Sequence, residues 1–85
     1  MILKPLQRAL RQENLEAALR FASRLFEIGG APRRHEERKV RALLQAMEGS
    51  ASSVRAAFTA GVLERFGRQL SEDARVRISG VLERL

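Results

Sequence analysis

Apolar side chains recur along this chain at three- and four-residue spacings and never in a sustained strict alternation, so the pattern predicts short amphipathic helices and no strands. Five helical segments are predicted. The first covers about Lys4 to Gln12 and sets Ile2, Leu3, Leu6, Ala9 and Leu10 on one narrow face, with Pro5 tolerated in the first turn. The second has Asn14 as its N-cap, runs from Leu15 to Ile28 and stops at Gly29-Gly30. Leu15, Ala18, Leu19, Ala22, Leu25 and Phe26 form its apolar arc, which Phe21 and Ile28 widen to about half the circumference, so this helix needs two neighbours. The third starts near Pro32 or Arg34 and ends at Glu48 before Gly49, with Val40, Leu43, Leu44 and Met47 facing the core. A serine-rich link, Ser50 to Ser53, leads into the fourth, about Val54 to Gly67. The fifth begins at Ser71, carries Glu72 and Asp73 where carboxylates favour the helix N-terminus, and ends at Leu85 with Ala74, Ile78, Val81, Leu82 and Leu85 as its core face.

These elements imply one all-α domain, residues 1–85, folded as a compact bundle of four to five short helices built from helix hairpins. A chain of this length buries about 60% of its unfolded surface, enough for one modest core. The fourth helix is apolar nearly all round. Val54, Ala57, Phe58, Gly61 and Val62 make one face, and Ala56, Ala60 and Leu63 make another, which is either internal or an interface with another chain. Val76 points away from the core face of the fifth helix and is a further candidate contact. The sequence Gly61-Val-Leu-Glu-Arg-Phe66 returns as Gly80-Val-Leu-Glu-Arg-Leu85, without the period of a repeat architecture. Asn14 to Pro32 resembles the second helix of a tetratricopeptide unit in the placing of Ala18, Ala22 and Leu25. The tryptophan, glycine and tyrosine of that pattern are missing and no second copy aligns, so no family is assigned.

Charge adds a second theme. Fourteen of the sixteen basic residues are arginine, and the formal net charge is +6. Arginine offers a planar fork of donors to phosphates and carboxylates, although a GC-rich genome produces the same bias. On the third helix Arg34, Arg38, Arg41 and Gln45 fall on consecutive turns away from the core direction. Arg33 and Lys39 enlarge this candidate anion- or partner-binding patch, while Glu36 and Glu37 dilute it.

Catalytic and cofactor chemistry find little footing. The chain has no cysteine, one histidine, one aspartate and no glycine-rich loop after a strand, so no metal site, cofactor site or catalytic set is expected. His35 reads as a surface residue. The four phenylalanines sit at or near core positions and supply no stacking platform for bases, and neither glycine turn fits a helix-turn-helix. No apolar stretch approaches the length of a membrane span or a signal-peptide core, so a cytoplasmic chain without membrane contact is expected. The expectation is therefore a non-enzymatic protein-binding module, an adaptor, inhibitor or assembly subunit, whose partner is another protein or a second copy. The alternative is a sequence-tolerant nucleic-acid contact subunit whose arginines meet the phosphate backbone. No small-molecule substrate is evident.

Overall fold

The computed structural model describes residues 3–31 and 33–85, so Met1, Ile2 and Pro32 lie outside the described residues, along with the placements expected of Ile2 and of a helix start at Pro32. Five α-helices follow in order: α1 (Leu3–Arg11), α2 (Leu15–Glu27), α3 (Glu36–Met47), α4 (Ser52–Phe66) and α5 (Glu72–Glu83), with a single 3₁₀ turn, Gly67–Gln69, between the last two. No strand occurs among the described residues. The all-α bundle expected from periodicity is the fold.

Local chemistry sets the boundaries. At the end of α1 the Asn14 N–H reaches back to the Ala9 oxygen at 2.9 Å and the Glu13 N–H to the Leu10 oxygen at 3.1 Å. This closing turn puts Glu13 in the left-handed region at φ 59°, a position usually held by glycine. Asn14 then caps α2, its side-chain oxygen accepting from the Ala17 N–H at 3.1 Å. At the far end of α2, Gly29 and Gly30 adopt φ of 84° and 100°, as the double glycine predicts. The third helix starts later than periodicity suggests. His35 sits at φ 55°, ψ 36° before the first helical residue, so Arg33 and Arg34 belong to the preceding turn. Ser71 caps α5 by accepting from the Ala74 N–H at 3.2 Å.

The helices close a ring in which each packs on its neighbours in the order α1, α2, α4, α5, α3 and back to α1. Leu6, Leu10, Phe26, Leu43, Met47, Phe58, Val62 and Ile78 fill its centre, each with at most 2% exposure. The Phe26 and Phe66 rings meet at 5.1 Å and join α2 to α4. Thr59 is wholly buried, and its hydroxyl finds the Met47 sulfur at 3.4 Å. Flanked by α2 and α5, α4 keeps an outward strip holding Ala57 and Ala60. Its buried arc is Val54, Phe58, Thr59, Val62 and Phe66, so Ala57 leaves the core face assigned to it: four-residue steps from Val54 point inward and the three-residue step points out.

The core face expected for α5 is also too long. Ala74 and Ile78 are buried and Val81 is half-buried, but Leu82 and Leu85 are 36% and 49% exposed. The reason is geometric: α5 runs back alongside α4 after the short 67–71 link, and past Ile78 its apolar stripe leaves the core for an open groove that Val81 and Leu85 share with Leu44, Met47 and Arg55.

Candidate binding surfaces

The arginine patch on α3 is smaller than its sequence suggests. Arg38 and Arg41 face solvent from successive turns, as does Gln45. Arg41 is held by Glu37 at 3.0 Å in an exposed i,i+4 pair. Arg34 is exposed but lies off the helix, its stem folded across the bare backbone at Gly29, where a Cβ would stand 3.3 Å from the Arg34 Cδ. Arg33 is exposed in the same turn. Lys39 does not enlarge the patch. It is 4% exposed, and its ammonium turns inward to donate to the main-chain oxygens of Phe26 at 2.8 Å and Ala31 at 2.7 Å. These are carbonyls at and beyond the end of α2, which lack helical partners, so Lys39 serves as a structural cap between α2 and α3. Burial, with the like charge of Arg34 nearby, lowers its pKa below the ordinary lysine value.

Glu36 likewise has a structural role and does little to dilute the patch. Its carboxylate accepts from the Ser71 N–H at 3.0 Å and from the Ser71 hydroxyl, tying the start of α3 to the start of α5. Burial opposes its charge, but the two bonds from Ser71, together with Arg33 and Arg75, outweigh burial and lower the pKa. Arg75 completes this corner by donating to the Gly67 and Leu70 oxygens at 2.8 and 2.9 Å. His35 is exposed and makes no capping bond through its side chain. Among the described residues no three His, Asp or Glu side chains gather into a metal-ligating set.

The candidate apolar interface is divided by the fold. Ala56 and Leu63 are half-buried, with Leu63 packed against the core, while Ala60 is exposed. Val76 stands apart from all three on the outer side of α5, 61% exposed. It borders a groove between α3 and α5 that the sequence did not announce. Leu44, Met47, Val81 and Leu85 form the apolar part of this groove, and Arg55 and Arg84 flank it. Toward the start of α5 it continues along Val76, Arg77 and Gly80. Arg55 enters from the beginning of α4, where one guanidinium nitrogen donates to the Ser52 hydroxyl at 3.2 Å and the buried Nε has no partner among the described residues. A signal for Arg55 was present, because at helical spacing it falls on the side of α4 that carries Thr59 and Val62. A smaller apolar hollow lies between α2 and α3, where Leu25, Ile28 and Ala42 meet His35 and Arg38.

No family model, no curated protein and no solved structure matches this chain. No helix among the described residues is long and apolar enough to cross a membrane.

Proposed function

We propose that the chain is a small, non-enzymatic protein-binding module whose contact surface is the groove between α3 and α5. One observation carries this reading. Of the four large hydrophobic residues that stay exposed among the described residues, Val76 and Leu82 belong to α5 and Leu85 follows its end, and Val76 and Leu85 adjoin an apolar groove flanked by arginines. Exposed apolar residues scattered singly need no explanation, whereas a gathered set beside a groove marks a contact surface. Arg55 adds directionality: its half-buried guanidinium flanks the groove, where its fork of donors suits a carboxylate or carbonyl brought by a partner.

The test is a complex recovered from native extract and challenged with salt. Apolar burial is little weakened by screening, so the complex should persist at high salt, and Leu85→Asp should dissolve it while leaving helix content unchanged. A complex that resists Leu85→Asp overturns the groove as its site.

A second reading, sequence-tolerant contact with the nucleic-acid backbone, draws on the exposure of Arg33, Arg34 and Arg38, none of which forms an ion pair among the described residues. Its mark is affinity that falls steeply with salt and is lost when these three arginines become glutamate. Undetectable binding of mixed-sequence DNA and RNA at low salt refutes it.

A further inference from the structure

Two stretches carry nearly the same six residues, Gly61 to Phe66 in α4 and Gly80 to Leu85 at and just past the end of α5, but their surroundings differ. In α4 the glycine sits in a tight packing contact. Leu19 of α2 lies over Gly61, one methyl carbon only 3.0 Å from where a Cβ would stand, and Val62 and Phe66 beside it are buried. Over Gly80 of α5 there is only the tip of Arg84, 3.7 Å from where a Cβ would stand, and Leu82 and Leu85 are exposed. A glycine inside a helix costs stability through backbone entropy and lost side-chain contact, and among the described residues nothing offsets that cost at Gly80.

Around Gly80 the face of α5 that borders its groove with α3 carries the exposed Asp73 and Val76 and the half-buried Arg77, with exposed Arg84 just past the helix end, at three- and four-residue spacings. The ion pairs among the described residues are Glu16–Arg20 and Glu37–Arg41, so none of these three charges has an ionic partner there. Turned end over end, the strip complements itself. Asp73 and Arg84 lie about 8 Å on either side of a midpoint between Ile78 and Ser79, and Val76 and Gly80 centre on Ile78, within about 1 Å of that point. In an antiparallel pair each Asp73 meets the other copy's Arg84 and draws it off the Gly80 oxygen, to which its Nε donates at 3.3 Å, and each Val76 meets the backbone so uncovered at the other copy's Gly80. A two-fold axis makes every such contact twice, and the helix dipoles oppose one another.

We infer that α5 pairs antiparallel with α5 of a second copy, making the module a two-fold homodimer centred on Val76 and Gly80. This rests on the protein-binding reading and names the partner for the outer part of that surface. The mixture of acid and base along the strip suits a copy of itself better than a partner of uniform charge. A pair of three-turn helices is a small contact, at the lower end for specific interfaces, so the dimer is reversible and concentration-dependent.

Sedimentation velocity and light scattering on the full chain, from about 1 µM to several hundred µM, read the prediction directly. The mass should rise from monomer to dimer across that range. Gly80→Gln should keep or raise the melting temperature of the dilute protein while weakening the dimer at least tenfold, because it favours the helix and fills the contact. Asp73→Arg and Arg84→Asp should each weaken the dimer at least tenfold, and the two together should restore it. A monomer throughout, a dimer indifferent to Gly80→Gln, or a double reversal that stays monomeric overturns the pairing. A monomeric wild type leaves the groove's salt-resistant complex to be judged separately through Leu85→Asp.

Discussion

Replacing Lys39 by methionine keeps an unbranched stem and removes the ammonium that caps α2. In the folded protein that group donates to Phe26 O at 2.8 Å in a buried bond and to Ala31 O at 2.7 Å in a partly buried one. Water can reach the Ala31 oxygen once the ammonium is gone, whereas the Phe26 oxygen is left as a buried acceptor without a donor. Such an orphan costs about 1–3 kcal/mol. Removing a charge that burial disfavours returns part of this, for a net loss of about 1–2 kcal/mol. In a domain of this size that lowers the melting temperature by roughly 5–15 °C. Lys39→Ala should lose more, because the buried stem goes as well. Alkaline pH gives a second reading of the same contact. The folded pKa of Lys39 lies below the ordinary 10.5, so between the two values the unfolded chain binds more protons and wild type gains stability as pH rises. The gap between wild type and Lys39→Met, measured by thermal and urea unfolding monitored by circular dichroism, should therefore widen toward pH 10. A methionine variant that melts with wild type at neutral pH would refute the capping role, and a gap that narrows with rising pH would refute the account of the charge.

Further predictions follow from the helix ends and the packing. Glu13→Gly should raise stability by up to about 1 kcal/mol, because the left-handed conformation that closes α1 strains any residue with a Cβ; calorimetry showing a loss would mean the Glu13 side chain contributes more than its strain costs. Gly61→Ala should destabilise by about 1–3 kcal/mol by pushing Leu19 aside, and the double variant with Leu19→Ala, in which that contact is gone, should lose less than the sum of the two single losses; additive losses would sink the clash account. Glu36→Gln should flatten the acid limb of stability. The lowered pKa of Glu36 makes its contribution complete above the ordinary value of 4.5 and lost as pH falls through the folded value, so wild type and variant should converge in acid. Phe58→Asp should abolish cooperative unfolding, since it puts a charge at a fully buried position; a soluble helical variant would show that α4 presents Phe58 outward.

Sequence alone determined the elements of this protein, because the forces that make them are local. Three- and four-residue spacing of apolar side chains, the Asn14 and Ser71 caps and the Gly29-Gly30 stop place α2 and α5 to within a few residues. Exposure of Arg38, Arg41 and Val76 was legible for the same reason, as it depends on the helical angle from the core. Tertiary structure decided the rest. Lys39 reads as one more exposed cation until α2 brings the carbonyls of Phe26 and Ala31 to its ammonium, and Glu36 reads as a solvated acid until Ser71, far along the chain, arrives beside it. The groove beside α5 had no sequence signature of its own, since Val81, Leu82 and Leu85 continue the spacing of Ala74 and Ile78 without a break. Whether an apolar stripe becomes core or surface depends on how closely another element lies across it, and in α5 the stripe passes from the closed core at Ala74 and Ile78 into an open groove at Val81 and Leu85.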